Sequence, residues 1–133
     1  RLAPAPPHVF VDPLQIRQAL LNLLQNGIEA MESGGTLTVT TSLSREAQGE
    51  PCVSIDISDT GEGMTADEVG KLFEPFYTTK PKGTGLGLTI VSRILERNGA
   101  RIAVTSVSGE GSTFSVRLPI AAHELASMDD GGE

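Results

Sequence analysis

The run Gly83-Thr84-Gly85-Leu86-Gly87-Leu88 constrains this chain more than any other stretch. A Pro-flanked segment precedes it, and an apolar pattern of helical period follows from Leu86 to about Asn98. Glycines at a loop-to-helix junction let backbone N–H groups approach a ligand with no Cβ in the way. The helix start adds unpaired N–H groups and a favourable dipole. Together they make an anion cradle suited to a nucleotide triphosphate. The plain alternative is a glycine-rich turn, and the remaining motifs bear on the choice.

A length of 133 residues suits one domain with a real core, and 38% hydrophobic content without low-complexity tracts suits a globular one. The net charge of -7 disfavours general nucleic-acid binding and direct contact with an anionic membrane. An anionic ligand would therefore need local help from amides, a Lys or a metal ion. The single cysteine, Cys52, cannot form an internal disulfide, which fits a reducing compartment. No signal peptide and no apolar run long enough to span a bilayer are apparent. The opening Arg1-Leu2-Ala3-Pro4, without Met, reads as a domain of something longer.

Residues 1–10 read as a Pro-rich linker remnant, with His8 to Val11 starting a first strand. Asp12-Pro13 is an N-cap followed by Pro at the first helical position, opening a helix to about Met31 that stops before Gly34-Gly35. Leu37, Val39, Thr41 and Leu43 alternate with polar residues, as do Val53, Ile55 and Ile57. These predict two strands of a hairpin, with a turn over Ser44 to Pro51. Thr65-Ala66-Asp67-Glu68 is a capping box for a short helix to about Phe73, and a loop runs from Glu74 to Gly83. After the helix from Leu86 come strands near Ile102–Ser106 and Thr113–Leu118, joined by a turn at Gly109-Glu110-Gly111. Residues 121–133 form a small-residue acidic tail. The sum is an α/β (α+β) two-layer sandwich, with a mixed, mostly antiparallel sheet and about three helices on one face. The domain proper spans residues 11–120.

Two features of this frame carry chemistry. On the first helix Ile16, Leu20, Leu23, Leu24, Gly27, Ile28 and Met31 make an apolar face, while Gln15, Gln18, Asn22, Asn26 and Glu29 fall in a polar stripe. Asn22 and Asn26 are neighbours one turn apart. Asn is a mediocre helix former, and amide oxygens suit a hard cation such as Mg²⁺ that leans on phosphate oxygens. The plain alternative is a solvated face. Asp59 shares the parity of Val53, Ile55 and Ile57, so alternation turns its carboxylate toward the buried side. Such a carboxylate needs a partner. The exocyclic N6 of adenine would serve, with Thr60-Gly61-Glu62-Gly63 letting a flat base pass close. The alternative is a turn Asp capping its own loop.

Taken together these residues resemble the ATP-binding catalytic domain of sensor histidine kinases, in the wider group of ATPases with DNA gyrase, MutL and the ninety-kilodalton heat-shock chaperones. The N box looks like Asn22 to Met31, and the G1 box like Asp59-Thr60-Gly61-Glu62-Gly63-Met64. The F box looks like Leu72-Phe73-Glu74-Pro75-Phe76-Tyr77-Thr78-Thr79-Lys80, and the G2 box like Gly83 to Leu88. The closing Gly111-Ser112-Thr113-Phe114 with Leu118-Pro119 also matches. Four boxes in order, from roughly Val11 to Pro119, are far more specific than any one of them. The F box is similar to that of kinases of the nitrogen-regulation and oxygen-sensing type, which often carry PAS sensor domains.

The resemblance implies the Bergerat ATP-binding fold and a set of roles. Asn26 coordinates Mg²⁺, assisted by Asn22. Asp59 accepts the adenine N6 amine, Gly61 and Gly63 give access to the base, and Met64 lies near it. The stretch from Met64 to Gly83 is a mobile ATP lid, in which Tyr77 covers adenine or ribose and Lys80 approaches the outer phosphates. Gly83, Thr84, Gly85, Leu86, Gly87 and Leu88 cradle the phosphates. Thr113 lines the adenine pocket, although alternation sets it on the face opposite Phe114.

There are departures: Glu29 stands where many kinases have Lys or Arg, and Thr78 where many have Arg, which shifts weight to Lys80. In the family the γ-phosphate passes to a His on a separate dimerisation domain and then to an Asp of a response regulator. No such acceptor is recognisable here. His8 lies in a Pro-rich edge, and His123-Glu124-Leu125 lies in the acidic tail. The implied chain binds Mg-ATP but does not autophosphorylate alone, is monomeric in isolation and works in the cytoplasm. Whether a full-length protein is membrane-anchored stays open. The alternatives are an ATPase of the gyrase or MutL type, a serine kinase of the anti-sigma-factor type, and a degenerate docking module. The first places a Glu general base where this chain has Asn22.

Overall fold

A computed structural model describes residues 11–45, 51–74 and 87–120. The chain runs α1 (Pro13–Glu29), β1 (Leu37–Arg45), β2 (Pro51–Asp59), α2 (Ala66–Lys71), α3 (Gly87–Arg97), β3 (Arg101–Val107) and β4 (Gly111–Pro119). The strands form one sheet in the order β1-β2-β4-β3, and every pairing is antiparallel. The expected two-layer sandwich is observed, and its described sheet is wholly antiparallel.

Local chemistry explains the helix starts. Asp12 Oδ1 accepts the amides of Leu14 at 3.0 Å and Gln15 at 3.3 Å, and Pro13 occupies the first helical position, where its missing N–H costs nothing. In α2 the Thr65 hydroxyl takes the Glu68 amide while Glu68 Oε1 takes the Thr65 amide, completing the expected capping box. The α3 helix ends in a Schellman turn. Ala100 N donates to the Leu95 carbonyl, and Gly99 sits at φ 67°, a conformation Gly reaches without strain.

The helices pack on one face of the sheet. Leu23 from α1, Val91 and Leu95 from α3, and Ile57, Phe114 and Val116 from the sheet are the fully buried heart. The β4 strand alternates strictly, with Ser112, Phe114, Val116 and Leu118 buried and their neighbours half-exposed. This is the period-two pattern of a strand covered on one side. Asn98 joins the two long helices: its Oδ1 accepts the Asp12 amide at 2.7 Å, and its Nδ2 donates to Gln15 Oε1 at 3.0 Å.

Three boundaries and one face differ from the sequence reading. The hairpin extends beyond the expected strands, since Ser44 pairs with Cys52 and Arg45 with Pro51; cross-strand pairing overrides the turn propensity of those residues. The first helix ends at Glu29 rather than Met31, with Ala30 closing onto the Asn26 carbonyl, and α2 ends at Lys71 rather than Phe73. Ile28, assigned to the apolar face, is 60% exposed, because it lies on the flank of α1 that also carries the exposed Leu14 and Leu21, each seven residues apart. The expectations for residues 1–10, for the 46–50 part of the turn and for the 121–133 tail lie outside the described residues.

Candidate functional site

The C-terminal half of α1, the 59–64 loop and the β3–β4 turn meet at one end of the sheet. Asp59 is the last residue of β2 and is 5% exposed. Its place on the core-facing side follows from strand alternation, as expected. Its Oδ1 accepts the Gly61 amide at 2.9 Å, so the turn-capping reading and the buried-carboxylate reading both describe it. One oxygen is thus spent on the loop while the group stays on the helix side. A Cβ placed on Gly27 of α1 would lie 3.7 Å from both Cβ and Oδ2 of Asp59, so the absent side chain brings helix and carboxylate close together.

Asn22 and Asn26 are both half-buried, one turn apart on α1. The polar stripe on which they lie does not behave as one solvated face. Gln15 is engaged by Asn98, Gln18 is exposed, and Gln25 donates to Glu29 at 3.2 Å along the outer side. The asparagines are more sheltered than Gln18 and Glu29, and Asn26 immediately precedes Gly27, which faces Asp59. Among the described residues no cluster of three or more His, Cys, Asp or Glu could hold a metal ion. A cation here would have to rely on amide oxygens and on the ligand's own oxygens. That donor set fits Mg²⁺, which retains waters and binds through few protein groups beside substrate phosphates.

The 59–64 loop is fixed by backbone fit. A Cβ on Gly61 would overlap the Ala30 carbonyl, one on Gly63 the Val107 carbonyl, and one on Gly111 the Asp59 carbonyl. Glu62 N donates to Ala30 O at 3.2 Å, and Gly109 N to Glu62 O at 2.6 Å. The loop therefore threads between the end of α1 and the β3–β4 turn. Gly61 and Gly63, read from the sequence as opening a path for a base, have a reason within the fold itself. Met64 is half-buried against the core, and its amide donates to Ser106 Oγ at 2.7 Å.

The expectation for Thr113 needs correction. Thr113 pairs with Ser58 in register, and their hydroxyls lie 2.7 Å apart. Both belong to the set that alternates away from Ile57 and Phe114, so Thr113 is on the face opposite Asp59. The residue paired with Asp59 is Ser112, which is 8% exposed on the core-facing side. Sequence reasoning passed over Ser112, though the same alternation that cast doubt on Thr113 points to it.

At the other flank, α3 starts at Gly87, with Leu88 half-buried against the core. Thr89, another residue the sequence reading left unused, is buried, and its hydroxyl donates to the Phe73 carbonyl at 3.1 Å. It ties the first turn of α3 to the chain just after α2. Tyr77, Lys80, Gly83, Thr84, Gly85 and Leu86 lie outside the described residues.

Residues 11–122 match the family described as "Histidine kinase-, DNA gyrase B-, and HSP90-like ATPase". The chain is 42% identical over 114 residues to the sensor histidine kinase ZraS of Escherichia coli, covering 86% of this chain and 23% of that protein. Among solved structures it is similar to full-length ShkA in complex with AMPPNP, with a TM-score of 0.75 and 32% identity over 90% of this chain and 24% of that one. It is also similar to the nucleotide-free catalytic domain of the histidine kinase ThkA, with a TM-score of 0.69 and 32% identity over 83% of this chain and 69% of that one. The chain thus spans less than a quarter of the length of ZraS, the curated relative named here.

Proposed function

The chain belongs to the histidine kinase-, DNA gyrase B- and HSP90-like ATPase family, and from that membership we propose that it binds Mg-ATP and donates the γ-phosphate to a histidine on a separate dimerisation domain, as the catalytic domain of a two-component sensor kinase. The observation that carries this reading is the buried Asp59 carboxylate beside the asparagine-bearing half of α1. A carboxylate that is 5% exposed with one oxygen on a backbone amide retains acceptor capacity for an exocyclic amine. Adenine presents such an amine. Amide oxygens of Asn26 and Asn22 supply the hard donors that a magnesium–triphosphate needs.

Phosphoryl transfer is mainly positioning and charge stabilisation. Mg²⁺, when bound, neutralises phosphate charge. Asp59 orients the base and Asn26 and Asn22 hold the cation's side of the triphosphate. The N–H groups at the start of α3, with Gly87 and Leu88, receive phosphate oxygens, joined by Gly83, Thr84, Gly85 and Leu86. Tyr77 covers the base or ribose, and Lys80 meets the outer phosphates. The partners on this reading are a histidine-containing dimerisation domain and a response-regulator receiver domain, and a supply of ATP places the domain in the cytoplasm. Asn22, an amide, offers no general base at the place where a gyrase-type hydrolase carries its Glu, which favours transfer over hydrolysis.

Calorimetric titration of a non-hydrolysable ATP analogue, with and without Mg²⁺, tests the site. Binding is expected to need Mg²⁺ and to be lost in Asn26→Ala. Asp59→Asn keeps an acceptor for Gly61 but presents an amide to the base, and should weaken binding by about 10- to 100-fold. Transfer of phosphate to an added histidine domain then separates a kinase from an ATPase. A folded wild type that binds no analogue overturns the reading.

A further inference from the structure

Ser106, near the end of β3, joins the 59–64 loop to β4 through a single hydroxyl. Its Oγ accepts the Met64 amide at 2.7 Å, lies 3.1 Å from the Gly111 carbonyl oxygen and 2.8 Å from Ser112 Oγ. A serine hydroxyl has one proton to give and two lone pairs to receive with. The amide can only donate and the carbonyl can only accept. Ser106 therefore gives its proton to Gly111, and its second lone pair takes the proton of Ser112. All three contacts are satisfied only in this arrangement.

The consequence falls on Ser112. With its proton committed to Ser106, Ser112 has only lone pairs left to offer. It is buried and paired in register with the buried Asp59. The end of the β2–β4 ladder thus presents acceptors alone: one carboxylate and one hydroxyl oxygen. A base edge carrying an amine satisfies such a surface. One carrying a carbonyl there, as guanine does, sets acceptor against acceptor and leaves buried groups unpaired.

We propose that Ser106 is a positioning residue that sets base selection: it pins the Met64 end of the loop and fixes Ser112 as an acceptor beside Asp59, favouring adenine over guanine nucleotides. This rests on the nucleotide-binding reading above. Ser106 touches no ligand in it and acts through Met64 and Ser112.

The test compares wild type with Ser106→Ala, Ser106→Thr and Ser108→Ala. Ser108 is an exposed serine of the adjoining turn and serves as the control. Hydrogen exchange of the Met64 amide, measured without nucleotide, reads the clamp. Titration with non-hydrolysable ATP and GTP analogues reads base selection. In Ser106→Ala the Met64 amide should exchange at least about tenfold faster, the ATP analogue should bind about tenfold more weakly, and the adenine-to-guanine preference should shrink. Ser106→Thr, which keeps the hydroxyl, should restore all three, and Ser108→Ala should change none. Unchanged Met64 exchange in Ser106→Ala overturns the clamp, whatever the nucleotide data say. Faster exchange with an unchanged base preference overturns the selection role. A folded wild type that binds neither analogue overturns the nucleotide reading, and base selection with it, while the exchange measurement still judges the clamp.

Discussion

The glycines of the 59–64 loop and the glycine that opens α3 belong to the same kind of motif, yet they answer to different constraints. Gly61 and Gly63 are held against backbone carbonyls of Ala30 and Val107, where any Cβ would collide. Gly87 has no described atom within 4 Å of the place a Cβ would take, and its φ is not positive. The described fold requires the first pair, and no described contact accounts for the third. On the nucleotide-binding reading, the missing Cβ at this helix start leaves room for an anion to approach the backbone N–H groups. The loop glycines, conversely, give little evidence of a ligand by themselves, because packing already accounts for them.

The strongest way to break this comparison is Gly63→Ala. Its φ of 67° strains any L side chain, and the obstacle is the Val107 carbonyl, which is backbone and cannot swing aside. A loss of at least about 2 kcal/mol of stability is expected in urea unfolding, with nucleotide affinity falling only as the folded fraction falls. A fully stable Gly63→Ala protein with lost binding would move Gly63 into the ligand-governed class and dissolve the distinction.

How far the sequence reveals such constraints depends on how local they are. The Asp12-Pro13 start and the Thr65–Glu68 capping box are legible because donor and acceptor lie within three residues of each other. The burial of Asp59 is legible from the parity of one strand. Which face a residue of β4 takes is equally legible, and alternation alone selects Ser112 over Thr113. What the sequence hides is contact between distant segments. The fit of Gly61 against Ala30 joins residues thirty-one positions apart, and the Met64–Ser106 bond spans forty-two. Likewise the sequence reads Ile28 into the apolar face of α1, yet it is exposed together with Leu14 and Leu21 along one flank of the helix. Periodicity records which residues share a helix face and says nothing of how wide a stripe the opposing surface covers.

A second, smaller effect sharpens the comparison from the other side. Gly87→Ala places a methyl at the first residue of α3, with no described atom within 4 Å of it. Ala is the better helix former, so stability should hold or rise by up to about 1 kcal/mol. If backbone N–H groups here receive phosphate, the added methyl crowds their approach, and affinity for the ATP analogue should fall about tenfold. Unfolding and calorimetry on the same preparation separate the two quantities. Unchanged affinity would remove Gly87 from the cradle and leave its identity without a reason.

Gly27→Ala lies between these cases and carries the smallest expected effect. The site is in the interior of α1, where Ala gains about 1 kcal/mol over Gly. Against that, the new Cβ would come 2.8 Å from Leu37 Cδ1, while Asp59 Cβ and Oδ2 stay at an ordinary 3.7 Å. The obstacle is the far end of a half-buried, rotatable side chain, not a carbonyl as at Gly63. Leu37 can turn at a cost of about 1 kcal/mol for an off-rotamer position, so the two terms nearly cancel. The expected result is stability within about 1 kcal/mol of wild type. Affinity should change only as far as displaced Leu37 disturbs its register partner, Asp59. A loss of several kcal/mol would show that Leu37 is locked in place. Gly27 would then join Gly63 among the glycines the fold demands.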